Sequence, residues 1–207
     1  EWMVGFRLAS GGQDDAISTN QTLDDDGEND MLNIDQAYAK WTPNDSMTVI
    51  FGKMANTFSF DKAIIDGDYT PEGIAFNYEQ DLAENHSFGL GAAGWVIEEE
   101  EDATKDGYAL VLQATLDSKL SSTISSHLGA GTYTFINTDA SHTEDSKNAG
   151  NSATGQYNPI IIDGALTYRG SSVPIKLGVS YITNPAVDQD DSGYLLGITF
   201  NEAKKPG

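Results

Sequence analysis

Met47-Thr-Val-Ile-Phe-Gly-Lys-Met54 and Ile74-Ala-Phe-Asn-Tyr78 are two apolar, strand-like runs, and between them lies Asp66-Gly-Asp-Tyr-Thr-Pro-Glu-Gly73. Alternation at every second residue puts one set of side chains on each face, as a half-buried strand requires. The connection spanning residues 55–73 is too long for a hairpin turn and too acidic for a core. Three roles are open to it: a catalytic site, a calcium site, or part of the wall or constriction of a pore.

The rest of the chain repeats the strand pattern. Strands are expected over residues 2–8, 31–42, 47–54, 74–79, 88–96, 108–116, 122–135, 160–168, 173–181 and 194–200. Nothing reads as a long amphipathic helix and no linker divides residues 1–207, so one β domain is expected. The connections are more telling than the strands. Those near 10–30, 55–73, 98–106, 136–157 and 185–192 are long, and those at 43–46, 81–85, 117–120 and 170–172 are short, in strict alternation. An up-and-down antiparallel barrel in an outer membrane has this pattern, with short turns on one side and long loops on the other. A soluble sandwich has no reason to gather every long loop at one end. A tilted membrane-crossing strand of about 9–11 residues also matches these lengths.

Composition narrows the function. The chain has 32 acidic and 11 basic residues, a formal net charge of -21, which argues against binding nucleic acid. Hydrophobic residues make up 39%, low for a large buried core. The absence of cysteine excludes disulfides, thiol catalysis and Cys-zinc sites. No apolar run approaches the roughly 20 residues of a membrane-spanning helix. Glu1-Trp-Met-Val-Gly-Phe-Arg-Leu8 is already strand-like and shows no export signal, which reads as a processed chain or a fragment.

Aromatic placement offers a further test. Trp41, Tyr78, Phe88, Tyr168 and Phe200 fall near the short turns, while Trp95, Tyr108, Tyr133, Phe135, Tyr181 and Tyr194 fall toward the long loops. Two such girdles flank the apolar band of an outer-membrane barrel. Trp41, Tyr78, Tyr108, Tyr168, Tyr181, Tyr194 and Phe200 are the residues assigned to them. The plainer explanation is that aromatics are common in strands.

Asp35-Gln-Ala-Tyr-Ala-Lys-Trp41, Gly52-Lys-Met54, Asp66-Gly-Asp68 and Pro71-Glu-Gly73 resemble the family of Gram-negative bacterial proteins called "Putative porin", as does the ending from Gly197 to Gly207. The resemblance covers most of the chain and is most specific between residues 35 and 76. It implies an antiparallel barrel in the bacterial outer membrane that passes small solutes. An amino-terminal region and further strands are expected beyond this stretch, so the ten strands read as part of a larger barrel, unless the barrel closes with ten. A second copy or other chains would otherwise complete the wall, because an open edge invites pairing.

Several clusters could carry chemistry. Asp66, Asp68 and Glu72 could shift one another's pKa, but no nucleophile or histidine lies close in sequence, and no catalytic residue is assigned. In a barrel, the same loop either folds inward and favours cations with its carboxylates or simply presents them to water. Arg7 faces opposite Trp2, Val4, Phe6 and Leu8, which suits a lumen position, whereas Lys53 fits either the lumen or the interface. Asp188-Gln-Asp190-Asp-Ser-Gly193 matches the first half of an EF-hand loop, but Thr199 stands where its closing Glu belongs. Asp24 and Asp26 lie in a second acidic run able to attract divalent cations. No metal site or cofactor is expected beyond such binding. His86, His127 and His142 share no ligand spacing and read as structural or exposed. The glycines of residues 89–94 suit close packing, bending or a smooth lipid face.

Two functions follow. One is a porin-like, cation-favouring channel for small hydrophilic solutes, in contact with outer-membrane lipid. The other is a soluble or cell-surface β-sandwich that binds ligands or cells through acidic, calcium-binding loops.

Overall fold

The computed structural model describes residues 1–10, 32–61, 64–65, 69–98, 106–136, 158–188 and 191–200. They form β1 (Trp2–Ser10), β2 (Leu32–Asn44), β3 (Met47–Lys53), β4 (Glu72–Ala83), β5 (His86–Glu98), β6 (Gly107–Lys119), β7 (Ile124–Ile136), β8 (Ile160–Tyr168), β9 (Ile175–Thr183) and β10 (Ser192–Phe200). All ten make one sheet in sequence order, and each neighbouring pair is antiparallel. All ten expected strands are present, most of them extended by a few residues into the turns. A sandwich would divide them between two packed sheets. Among the described residues a single sheet instead leaves one face without a partner layer, and the sandwich expectation falls on that point.

The two faces differ sharply. Along β6, Leu110 is 48% exposed and Leu112 55%, while Val111 between them is fully buried. The register carries this alternation across the sheet. Phe76, Ala92 and Leu112 form one row of the outer face, and Ile162, Tyr181 and Tyr194 form part of another. Val4, Phe6, Leu128, Leu166, Leu177, Leu196 and Ile198 stand exposed on the same side. On the inner face, Ala75, Ala93, Ala109, Val111 and Ile161 are buried beneath the segment joining β3 to β4.

Short turns close the β2–β3, β4–β5, β6–β7 and β8–β9 hairpins. Ser46 donates its backbone N–H to Asn44 Oδ1 at 3.0 Å in the first, and Ser121 Oγ accepts from the N–H of Ile124 at 3.0 Å in the third. A register shift between Arg7 and Leu8 leaves Asp35 as an extra residue in β2, which brings its carboxylate to the Arg7 guanidinium. Among the described residues, β1 pairs only with β2 and β10 only with β9, so the sheet has two open edges.

Candidate functional site

The candidate site is the inner face of the sheet together with the segment that crosses it. At the root of that segment, Gly52 and Gly73 are register partners, with φ of 105° and 148°. A Cβ on Gly52 would overlap the Ala37 carbonyl, and one on Gly73 the Gly94 carbonyl. Only glycine accommodates both the positive φ and the close backbone approach. Beyond the pair, Met54 donates its N–H to the Pro71 carbonyl at 2.9 Å, which holds the two limbs together as they leave the sheet.

From this root the segment packs back against the inner wall. Its aromatics join those of the wall in a continuous series, Tyr69–Trp95–Phe58–Phe60–Tyr133–Phe135, with ring centroids 5.5–6.4 Å apart. Such contacts add about 0.5–1.5 kcal/mol per pair to the burial of the rings. Ile64 and Ile65 pack against the same cluster. Ser59 anchors the crossing by donating its N–H to Gln113 Oε1 at 2.9 Å. Two wall glycines make room for it: a Cβ on Gly91 would sit 2.8 Å from the Phe58 ring, and one on Gly131 2.7 Å from the Phe60 ring. The described residues of the 55–73 connection thus pack against the inner wall. Burial pushes the Tyr69 phenol above its ordinary pKa.

Trp95, Tyr133 and Phe135 belong to this inner cluster, not to an outer girdle. Their nearness to the long loops suggests a girdle, but they are one residue out of phase with the exposed set. Trp41, Tyr108, Tyr168, Tyr181, Tyr194 and Phe200 are exposed on the outer face, and Tyr78 shares their register rows. Trp41 stacks on Trp2 at 5.8 Å.

Other candidates are placed as follows. Arg7 is on the inner face, paired with Asp35. Lys53 shares the outer phase of Phe51, and its Nζ donates to the Thr70 carbonyl at 3.1 Å at the root of the inward segment. Glu72 is exposed and is the register partner of Lys53. Asp66, Asp68, Asp24, Asp26 and Asp190 lie outside the described residues. Asp188 is exposed beyond β9. Among the described residues no cluster of three His, Cys, Asp or Glu is placed to hold a metal.

Below the aromatic series, a cavity of about 1260 Å³ opens over the inner wall from β4 to β10, with Phe60 and Asp61 on its rim. Its charges are mixed. Asp35, Glu79, Asp81, Asp117 and Asp163 on the inner face are matched by Arg7, Lys40, Lys119, Arg169 and Lys176. The large negative charge therefore resides mainly in the connections. His127 is no isolated residue: its Nδ1 lies 2.8 Å from Asp117 Oδ1, and its Nε2 lies 3.3 Å from Asp163 Oδ1. Half of this cluster is legible in the sequence, because Asp117 and His127 are equidistant from Ser122 at the centre of a hairpin. Asp163 arrives across the long β7–β8 connection, which hides its register.

A family model described as "Putative porin" matches residues 1–188 of the chain. No curated protein and no solved structure matches it.

Proposed function

Because the chain belongs to the family described as "Putative porin", we propose that it forms the wall of an outer-membrane channel for passive diffusion of small hydrophilic solutes. It is read as a channel and not as an enzyme. The observation that carries the reading is the segregation of the two faces. Exposed Leu, Ile, Val and aromatic side chains occupy one side, while the other bears paired charges, a cavity and an inward segment. Leaving a Leu, Ile or Phe in water forgoes about 1.5–3 kcal/mol each, so so many exposed on one face call for lipid. The edges of β1 and β10 are completed by further strands, from elsewhere in the polypeptide or from a second copy, because no unpaired edge is tolerated in hydrocarbon.

The cation preference arises at the mouth and not at the wall. The long connections carry runs such as Asp24-Asp-Asp26 and Glu98-Glu-Glu-Glu-Asp102, which concentrate cations nearby, whereas the described wall is balanced. Such a preference is screened, since the Debye length falls from about 10 Å at 0.1 M salt to about 3 Å at 1 M. Proteoliposome swelling tests the channel: small sugars should enter faster than large ones, and impermeability to all of them contradicts it. Reversal potentials in a salt gradient test the preference, which should favour the cation at low salt and fade at high salt. A potential favouring the anion removes it.

A further inference from the structure

We propose that the inner wall of β6–β8 binds a small zwitterion, with its ammonium at Asp117 and Asp163 and its carboxylate at Arg169 and Lys119. This rests on the channel reading and adds the class of solute. Asp117 and His127 face each other across β6 and β7, and Asp163 lies on the diagonal, two residues before Ala165, the partner of His127. The imidazole engages one oxygen of each carboxylate. The Asp163 side chain is nine-tenths buried, and its Oδ2 has no hydrogen-bond partner among the described residues. A buried carboxylate oxygen left unpaired is costly and calls for a donor.

The seat of this carboxylate is shaped by Gly129, where a Cβ would overlap Asp163 Oδ2 and stand 2.8 Å from Oδ1. One inward position further along the hairpin, Lys119 faces Ser125, and Arg169 Nη1 donates to Ser125 Oγ at 2.9 Å. Two residues along a strand span about 7 Å, which sets the spacing between the acidic and basic groups. An ω-amino acid or a dipeptide carries its ammonium and carboxylate about that far apart. The cavity of about 1260 Å³ over the wall admits such a solute with water around it.

The test is block of single-channel current in planar bilayers, with glycylglycine as the probe. Glycylglycine should interrupt the current at concentrations about tenfold lower than uncharged N-acetylglycinamide does, as charge-assisted hydrogen bonds predict. Asp163→Asn and Arg169→Gln should each raise the blocking concentration by about tenfold. Equal block by the two probes in the unaltered channel overturns the inference while the channel reading stands. A chain that conducts no current overturns both.

Discussion

At the residue scale, Arg7 and Asp35 form an unequal pair. The carboxylate is 4% exposed and the guanidinium 51%, so the acid depends on the base more than the reverse. Removing Arg7 leaves a buried acceptor unpaired, at a cost of about 1–3 kcal/mol, toward the lower end because water reaches the site. Arg7→Ala is expected to lower the unfolding free energy in lipid vesicles by about 1 kcal/mol, with Arg7→Ala/Asp35→Ala costing less than the two single losses together. Strict additivity would remove the coupling. The inner position of Arg7 is legible from the alternation of Trp2, Val4, Phe6 and Leu8. Its partner is not, because the bulge at Asp35 shifts the register by one residue. Gly131 is a second such position, since any side chain there meets both the Phe60 ring and the Leu112 carbonyl. Gly131→Val is expected to cost about 1–3 kcal/mol by overpacking, measured as a lower urea midpoint. An unchanged midpoint would show that the segment does not rest on the wall.

At the element scale, the segment between β3 and β4 is the part of the fold that sequence describes least well. Its length and acidity mark it as special, and its glycine and proline residues mark its root, but nothing local states which face Phe58 and Phe60 cover. The wall supplies that information through phase: Trp95 and Tyr133 are the register partners of the buried Ala109 and Val111, one residue out of step with the exposed Val96, and so point inward. Tyr69 reports on the packing of the segment. Its phenol is held neutral by burial, so its pKa in the folded protein exceeds the ordinary value of about 10. The neutral form is the one compatible with the packed segment. Its packing is therefore complete below about pH 10 and weakens as the pH rises through the higher folded value. Ultraviolet titration should show phenolate absorbance from Tyr69 appearing later than that of exposed tyrosines, an excess lost in Tyr69→Phe. Coincident titration contradicts its burial.

At the scale of the whole molecule, strand order, up-and-down topology and the long–short series of connections are legible in the sequence because hairpin pairing is local. The charge distribution is not. A net charge of -21 suggests an acidic lumen, yet the described wall intersperses bases among its acids, with Arg7 paired to Asp35 and His127 set between Asp117 and Asp163. Composition sums over faces and loops that perform different tasks. The central claim is that this sheet is a lipid-facing channel wall narrowed by its own inward segment. Single-channel conductance in a planar bilayer, compared between the unaltered chain and Phe58→Ala/Phe60→Ala, tests it most directly. The account predicts ohmic steps in the first and larger ones in the second, where the segment loses its hold on the wall. No steps, or steps of the same size in both, would contradict it.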